Sequence, residues 1–152
     1  MAEGTFTPEF TDAQIAYIKK WAVERRTLAV PSILIVEDQP FSRNLLEGML
    51  KRDYACYSAS NAEKAVALYA EQVPCIVFLD VELPDMNGHD LAAFIKKYDP
   101  ASFIVMVTAN NFEKDVVRSK ENNVQGFIAK PFSREKISLY VQKYLQDRKV
   151  KK

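Results

Sequence analysis

Four short apolar runs, each closed by a polar residue, constrain this chain more than any other feature: Ile33-Leu34-Ile35-Val36 before Glu37-Asp38, Cys75-Ile76-Val77-Phe78-Leu79 before Asp80, Phe103-Ile104-Val105-Met106-Val107 before Thr108, and Gly126-Phe127-Ile128-Ala129 before Lys130-Pro131. Runs of this length and apolarity read as strands buried on both faces of a parallel sheet. Ligands of open parallel sheets bind beyond the C-terminal strand ends. One edge would therefore gather carboxylates, a hydroxyl and an ammonium.

Helical patterns separate the runs. Phe41–Lys51 places Leu45, Leu46, Met49 and Leu50 on one face, and a short strand, Tyr54–Ser58, follows. Ser60-Asn61-Ala62-Glu63 has the form of a capping box, with Ala62, Val66 and Tyr69 as the apolar stripe behind it. The segment Val81–Gly88 carries the turn residues Pro84, Asn87 and Gly88. Helices are expected over Asp90–Tyr98, Phe112–Asn122 and about Arg134 to Arg148, the last with Ile137, Tyr140, Val141, Tyr144 and Leu145 apolar. Strict alternation predicts an α/β fold, a flavodoxin-like doubly wound five-stranded parallel sheet of order 2-1-3-4-5 with five helices, over residues 31–148.

Residues 1–30 fall outside that unit and form an N-terminal helical extension. Thr11-Asp12-Ala13-Gln14 fits a capping box, and Phe10 and Ile15 stand where a hydrophobic staple would put them. The helix would reach about Arg26, with Ile15, Ile18, Trp21 and Ala22 as its stripe. At about 15 residues it is marginal alone and must pack, either on its own domain or on a partner. Residues 149–152 form a basic tail that complements the preceding helix C-terminus.

Net charge is +1, so no global field points to nucleic acid or an anionic membrane. No apolar run approaches a membrane span, and Met1–Phe10 lacks a signal pattern, so the cytoplasm is the expected compartment. Cys56 and Cys75 fall on strands separated by a third, roughly 9–10 Å apart. A disulfide needs Cα atoms within about 7 Å, so both read as small buried hydrophobes. His89, at a helix start with no partner in view, reads as a surface residue.

Asp80 is the candidate nucleophile, because a carboxylate can attack phosphorus and form an acyl phosphate. Glu37 and Asp38 beside it would aggravate anionic repulsion unless a hard divalent cation, for which Mg²⁺ is suited, is held between them. The backbone around Val81–Glu82 would add a carbonyl ligand. Lys130 and Thr108 would contact phosphoryl oxygens. Each residue alone has a bland reading as loop solvation, turn former or helix cap. Their joint order at strand ends favours a phosphoryl site.

These residues resemble a response-regulator receiver domain, the phosphoacceptor half of two-component signalling. The resemblance covers about Pro31 to Arg148 and rests on Ile33–Pro40, Val77–Gly88, Val107-Thr108-Ala109 and Lys130-Pro131-Phe132. It implies that Asp80 accepts a phosphoryl group from a histidine kinase or histidine phosphotransfer protein, with Mg²⁺ on Glu37, Asp38, Asp80 and the Glu82 carbonyl. It implies that Thr108 and Lys130 bind the group, that Thr108 and Phe127 form the switch, and that the Lys130-Pro131 bond is cis. Glu82, Ala109 and Asn110 would tune access and phosphoryl lifetime. Output would be protein–protein, through a partner or homodimer, by the helix four, strand five and helix five face or by the N-terminal helix. Trp21 exposure or oligomeric state is expected to report it. The competing readings are a phosphorylation-independent scaffold, a haloacid-dehalogenase-like phosphohydrolase, which would want an aspartate where Glu82 stands, and a flavin module, for which no phosphate-cradling loop follows the first strand.

Overall fold

A computed structural model describes residues 5–109 and 113–150. The strands are β1 (Ser32–Val36), β2 (Ala55–Ala59), β3 (Ile76–Asp80), β4 (Phe103–Thr108) and β5 (Gly126–Ala129). They form one parallel sheet of order β2-β1-β3-β4-β5. The helices are α1 (Asp12–Glu24), α2 (Pro40–Leu50), α3 (Ala62–Gln72), α4 (Gly88–Tyr98), α5 (Glu113–Glu121) and α6 (Arg134–Val150). The expected order and the extra N-terminal helix are both present.

Strand periodicity divides the core. Leu34, Val36, Val77, Leu79, Ile104 and Met106 face α1, α3 and α4, where Ile18, Tyr69, Leu91 and Ile95 are buried. Ile33, Ile35, Ile76, Phe78, Val105 and Val107 face α2 and α6, where Leu46, Leu50, Ile137 and Val141 are buried. Each such side chain contributes about 1.5–3 kcal/mol when fully buried. Both cysteines are free thiols. Burial pushes the Cys56 thiol up to about 11, out of the reactive range.

The N-terminal helix packs on its own domain. Thr11 and Gln14 form a reciprocal capping box. Phe10 is buried in the core, its ring 4.7 Å from that of Phe94 and 5.4 Å from that of Tyr98 on α4. Trp21, expected in the apolar stripe, is 36% exposed and pairs instead with Tyr17 at 6.1 Å. Past α1, Arg25 turns inward where β3 and β4 begin. Its guanidinium binds Asp99 at 2.6 and 3.0 Å and the Pro74 carbonyl at 3.2 Å. The Tyr69 hydroxyl donates to Asp99 at 2.5 Å.

Several helix termini differ from expectation, two of them for reasons visible in their caps. Asn61, not Ser60, caps α3, its side chain accepting from the Lys64 N–H at 2.8 Å. The two preceding amides, of Ala62 and Glu63, go to the Asp85 carboxylate at 2.8 and 3.0 Å. A capping side chain must therefore satisfy the third amide, which Asn61 reaches. Helix α6 runs through Val150, beyond the expected end at Arg148, because neither glycine nor proline stands there to stop it.

Candidate functional site

Register sets the site. Val36 pairs with Leu79, Asp80 with Val107, and Thr108 with Ala129. Glu37, Asp80, Thr108 and Lys130 thus emerge along one edge, at the point where the chain crosses from β1 outward in both directions. Backbone bonds carry the pairing past the strand ends: Glu37 N–H to the Ala59 carbonyl at 3.0 Å, Val81 to Val107 at 3.1 Å, and Lys130 to Thr108 at 2.7 Å. The candidate side chains therefore stand at the ends of paired strands.

Carboxylate oxygens of Glu37, Asp38 and Asp80 all lie within 4.8 Å of one another, and no other such acidic, histidine or cysteine cluster exists among the described residues. Lys130 reaches between two of them, its Nζ 2.5 Å from Glu37 Oε1 and 3.4 Å from Asp80 Oδ2. The other Asp80 oxygen accepts from the Glu82 N–H at 3.2 Å. The acidic turn is braced from α2: Arg43 donates to the Glu37 carbonyl at 3.0 Å, and the Gln39 N–H to the Glu37 carboxylate at 3.1 Å.

The charges are unbalanced. Asp80 is pushed up to about 7, first by burial and then by its close contact with Glu37, against the pull of Lys130. Burial also acts to raise Glu37, but hydrogen bonds from a protonated Asp80 and from Lys130 outweigh it and hold Glu37 below its ordinary value. Asp38 is raised by burial and by the Glu37 charge. One ammonium faces three crowded carboxyl groups, of which Glu37 and Asp80 are buried. A hard cation with oxygen ligands fits that donor set and would relieve the repulsion.

The remaining sequence candidates fall into two groups. Thr108 is fully buried on β4 beside β5, where Phe127 pairs with Met106 and lies half-buried against the core. Glu82 and Ala109 are exposed at the mouth, whereas Asn110 lies outside the described residues. The Lys130-Pro131 bond is cis.

The loop after Asp80 is tight. A Cβ on Gly88 would come within 2.2 Å of the Asp80 carbonyl oxygen, so only glycine fits. That closeness starts α4 at Gly88 and corrects the reading of His89. The ring is 1% exposed, and its Nε2 lies 3.1 Å from Oδ1 of Asp115 on α5. Asp115 stands in an otherwise polar helix, and nothing local marks it as a histidine partner. Asp85 was also missed as a positioning residue: it looks like a turn former, yet it anchors this loop to the α3 N-terminus.

Comparison with known proteins gives the family and the same fold. The family profile described as response regulator receiver domain matches residues 33–142. The chain is 34% identical over 107 residues to the chemotaxis protein CheY of Thermotoga maritima, covering 69% of this chain and 89% of that protein. It is 30% identical over 106 residues to CheY of Halobacterium salinarum, covering 69% and 88%. It is also 29% identical to the sensory transduction protein LytT of Oceanobacillus iheyensis, of which it spans 51% while 79% of this chain is covered. A CheY-like receiver structure from Methanospirillum hungatei superposes with a TM-score of 0.77 at 22% identity, covering 82% of this chain and 100% of that one, a likeness of fold. With a profile matching residues 33–142 and relatives 30% and 34% identical, the chain belongs to the response regulator receiver domain family of two-component signal transduction.

Proposed function

We propose that this chain is a phosphoacceptor switch in which Asp80 takes a phosphoryl group from a histidine kinase or histidine phosphotransfer protein. The observation that carries the reading is the Glu37–Asp38–Asp80 cluster with Lys130 inserted beside it. An Asp80 oxygen attacks phosphorus, the bond from phosphorus to the donor imidazole breaks, and an acyl phosphate forms. Lys130 stands ready to pair with a phosphoryl oxygen once the new charge draws it from Glu37. Glu37, Asp38, Asp80 and the Glu82 carbonyl would hold Mg²⁺, which when bound supplies charge neutralisation and alignment of the attacking and leaving oxygens.

Thr108 and Phe127 are proposed to relay the change to the α5–β5–α6 face, with Glu82, Ala109 and Asn110 tuning access and lifetime. Output is protein–protein, to a partner or a second copy, without direct nucleic-acid or membrane contact and in the cytoplasm. The chain turns over no separate substrate; its chemistry is its own phosphorylation and slow dephosphorylation. Intact mass after incubation with a small acyl phosphate and Mg²⁺ tests this. The expected result is gain of one phosphoryl group, lost in Asp80→Asn and without metal. No gain in the wild-type chain with the small donor or with histidine kinases overturns it.

A further inference from the structure

Helix α5 is tied to the end of the Asp80 loop by contacts that bypass Thr108 and Phe127. His89 Nε2 faces Asp115 Oδ1 at 3.1 Å, Arg118 Nη2 donates to Asp90 Oδ1 at 2.9 Å, and Asn122 Nδ2 donates to the His89 carbonyl at 2.9 Å. The three differ in weight. Arg118 and Asp90 have side chains 44% and 59% exposed, so their pair contributes little. The Asn122 bond uses backbone and would be offered by any residue at position 89. Only the His89–Asp115 bond is both buried and specific to the side chain.

The histidine is an unusual choice for its place. Nε2 is committed to Asp115 Oδ1. The buried Nδ1 then has no hydrogen-bond partner among the described residues. An apolar side chain would fill the space without that unsatisfied atom. What an apolar residue could not do is hold α5. The same junction contains a cavity of about 270 Å³, lined by Val81 and Glu82 next to Asp80 and by Lys114 and Arg118 of α5 together with the pair. The cavity therefore borders α5 on the side that the pair bridges. The chain path is short as well: the Gly88 N–H donates to the Val81 carbonyl at 2.6 Å, so the residue after Asp80 is bonded to the residue before His89.

We propose that the His89–Asp115 pair is a latch that holds α5 against the phosphorylation loop and sets how far α5 responds when Asp80 is modified. The response part rests on the phosphoacceptor reading above. The holding part does not.

Hydrogen exchange of residues 113–121 in the full chain, with and without beryllium fluoride and Mg²⁺ as the phosphoryl mimic, tests both parts. The variants are His89→Phe, which keeps the bulk and removes the bond, and Asp115→Asn, which keeps an acceptor. Should His89→Phe fail to fold, Asp115→Ala takes its place, because the Asp115 side chain is 12% exposed. Without the mimic, α5 of His89→Phe is expected to exchange roughly ten-fold faster than wild type. Adding the mimic should then change its exchange by less than half the wild-type increment, with Asp115→Asn in between. A mimic-free rate within two-fold of wild type, or an undiminished increment, overturns the latch. A wild-type chain that shows no mimic binding by fluorine NMR, beside a faster-exchanging variant, removes the phosphoacceptor reading and the response part and leaves the holding part standing.

Discussion

Two buried charge clusters sit at opposite ends of the same strands and are built on opposite logic. Where β3 and β4 begin, Arg25 meets Asp99 and Tyr69 with matched charge and bidentate geometry. Burial alone would lower Arg25, yet the neighbouring Tyr69 and Asp99 raise it well above its ordinary value, so the ion pair stays intact. Where the strands end, Glu37, Asp38 and Asp80 share one lysine, and the proposed acceptor carboxyl of Asp80 is pushed toward its neutral form. The first arrangement joins the N-terminal segment to the domain. The second is unbalanced by itself, and in the proposed function a cation or a phosphoryl group completes it. The difference teaches that burial of charge identifies a functional site only when the charges fail to balance.

The contrast can be broken most forcefully at the balanced end. Asp99→Ala leaves a buried arginine unpaired and should destabilise the protein by about 3–5 kcal/mol, read as the shift in denaturation midpoint. At the unbalanced end Mg²⁺ should act as a stabiliser, by about 2.7 kcal/mol at a hundred-fold excess over its dissociation constant. The denaturation midpoint of Asp99→Asn should still rise with Mg²⁺, whereas that of Asp80→Asn should rise less than wild type.

Removing a charge at that end should help rather than harm. Without metal, Asp80→Asn is expected to be more stable than wild type at neutral pH by about 1–2 kcal/mol. Its pH dependence has a defined sign. Asp80 is raised from the usual carboxyl range to about 7, so the fold favours the protonated form. Its contribution is fully present below the unfolded value, near 4, and is lost as pH rises through about 7. The wild-type chain without metal should therefore lose stability relative to Asp80→Asn across that window, and Mg²⁺ should flatten the difference. Glu37, being lowered, acts oppositely and only in more acidic solution. The smallest effect belongs to the exposed Arg118–Asp90 pair, where Arg118→Ala should cost less than about 0.5 kcal/mol in thermal or chemical melts.

What the sequence made legible follows the reach of local patterns. Glu37, Asp80, Thr108 and Lys130 were readable because each ends an apolar run, and parallel pairing sends strand ends to one edge. The α1 cap was readable because both of its partners lie within four residues. The Arg25–Asp99 bond spans 74 positions and the His89–Asp115 bond 26, and neither residue breaks the periodicity of its own segment. Asp85 was not singled out because its partners, two amides at the start of α3, precede it by more than 20 residues. Long-range polar pairs are fixed by tertiary packing, which local periodicity does not encode.

The central claim, that Asp80 and no neighbouring carboxylate is the acceptor, is tested most directly by chemical trapping. The chain is treated with a small acyl phosphate and Mg²⁺, reduced with borohydride, digested and mapped by mass. Reduction converts a phosphorylated aspartate into homoserine. The account predicts homoserine at position 80 alone. Modification at Asp38 or Glu37 with Asp80 intact would contradict it.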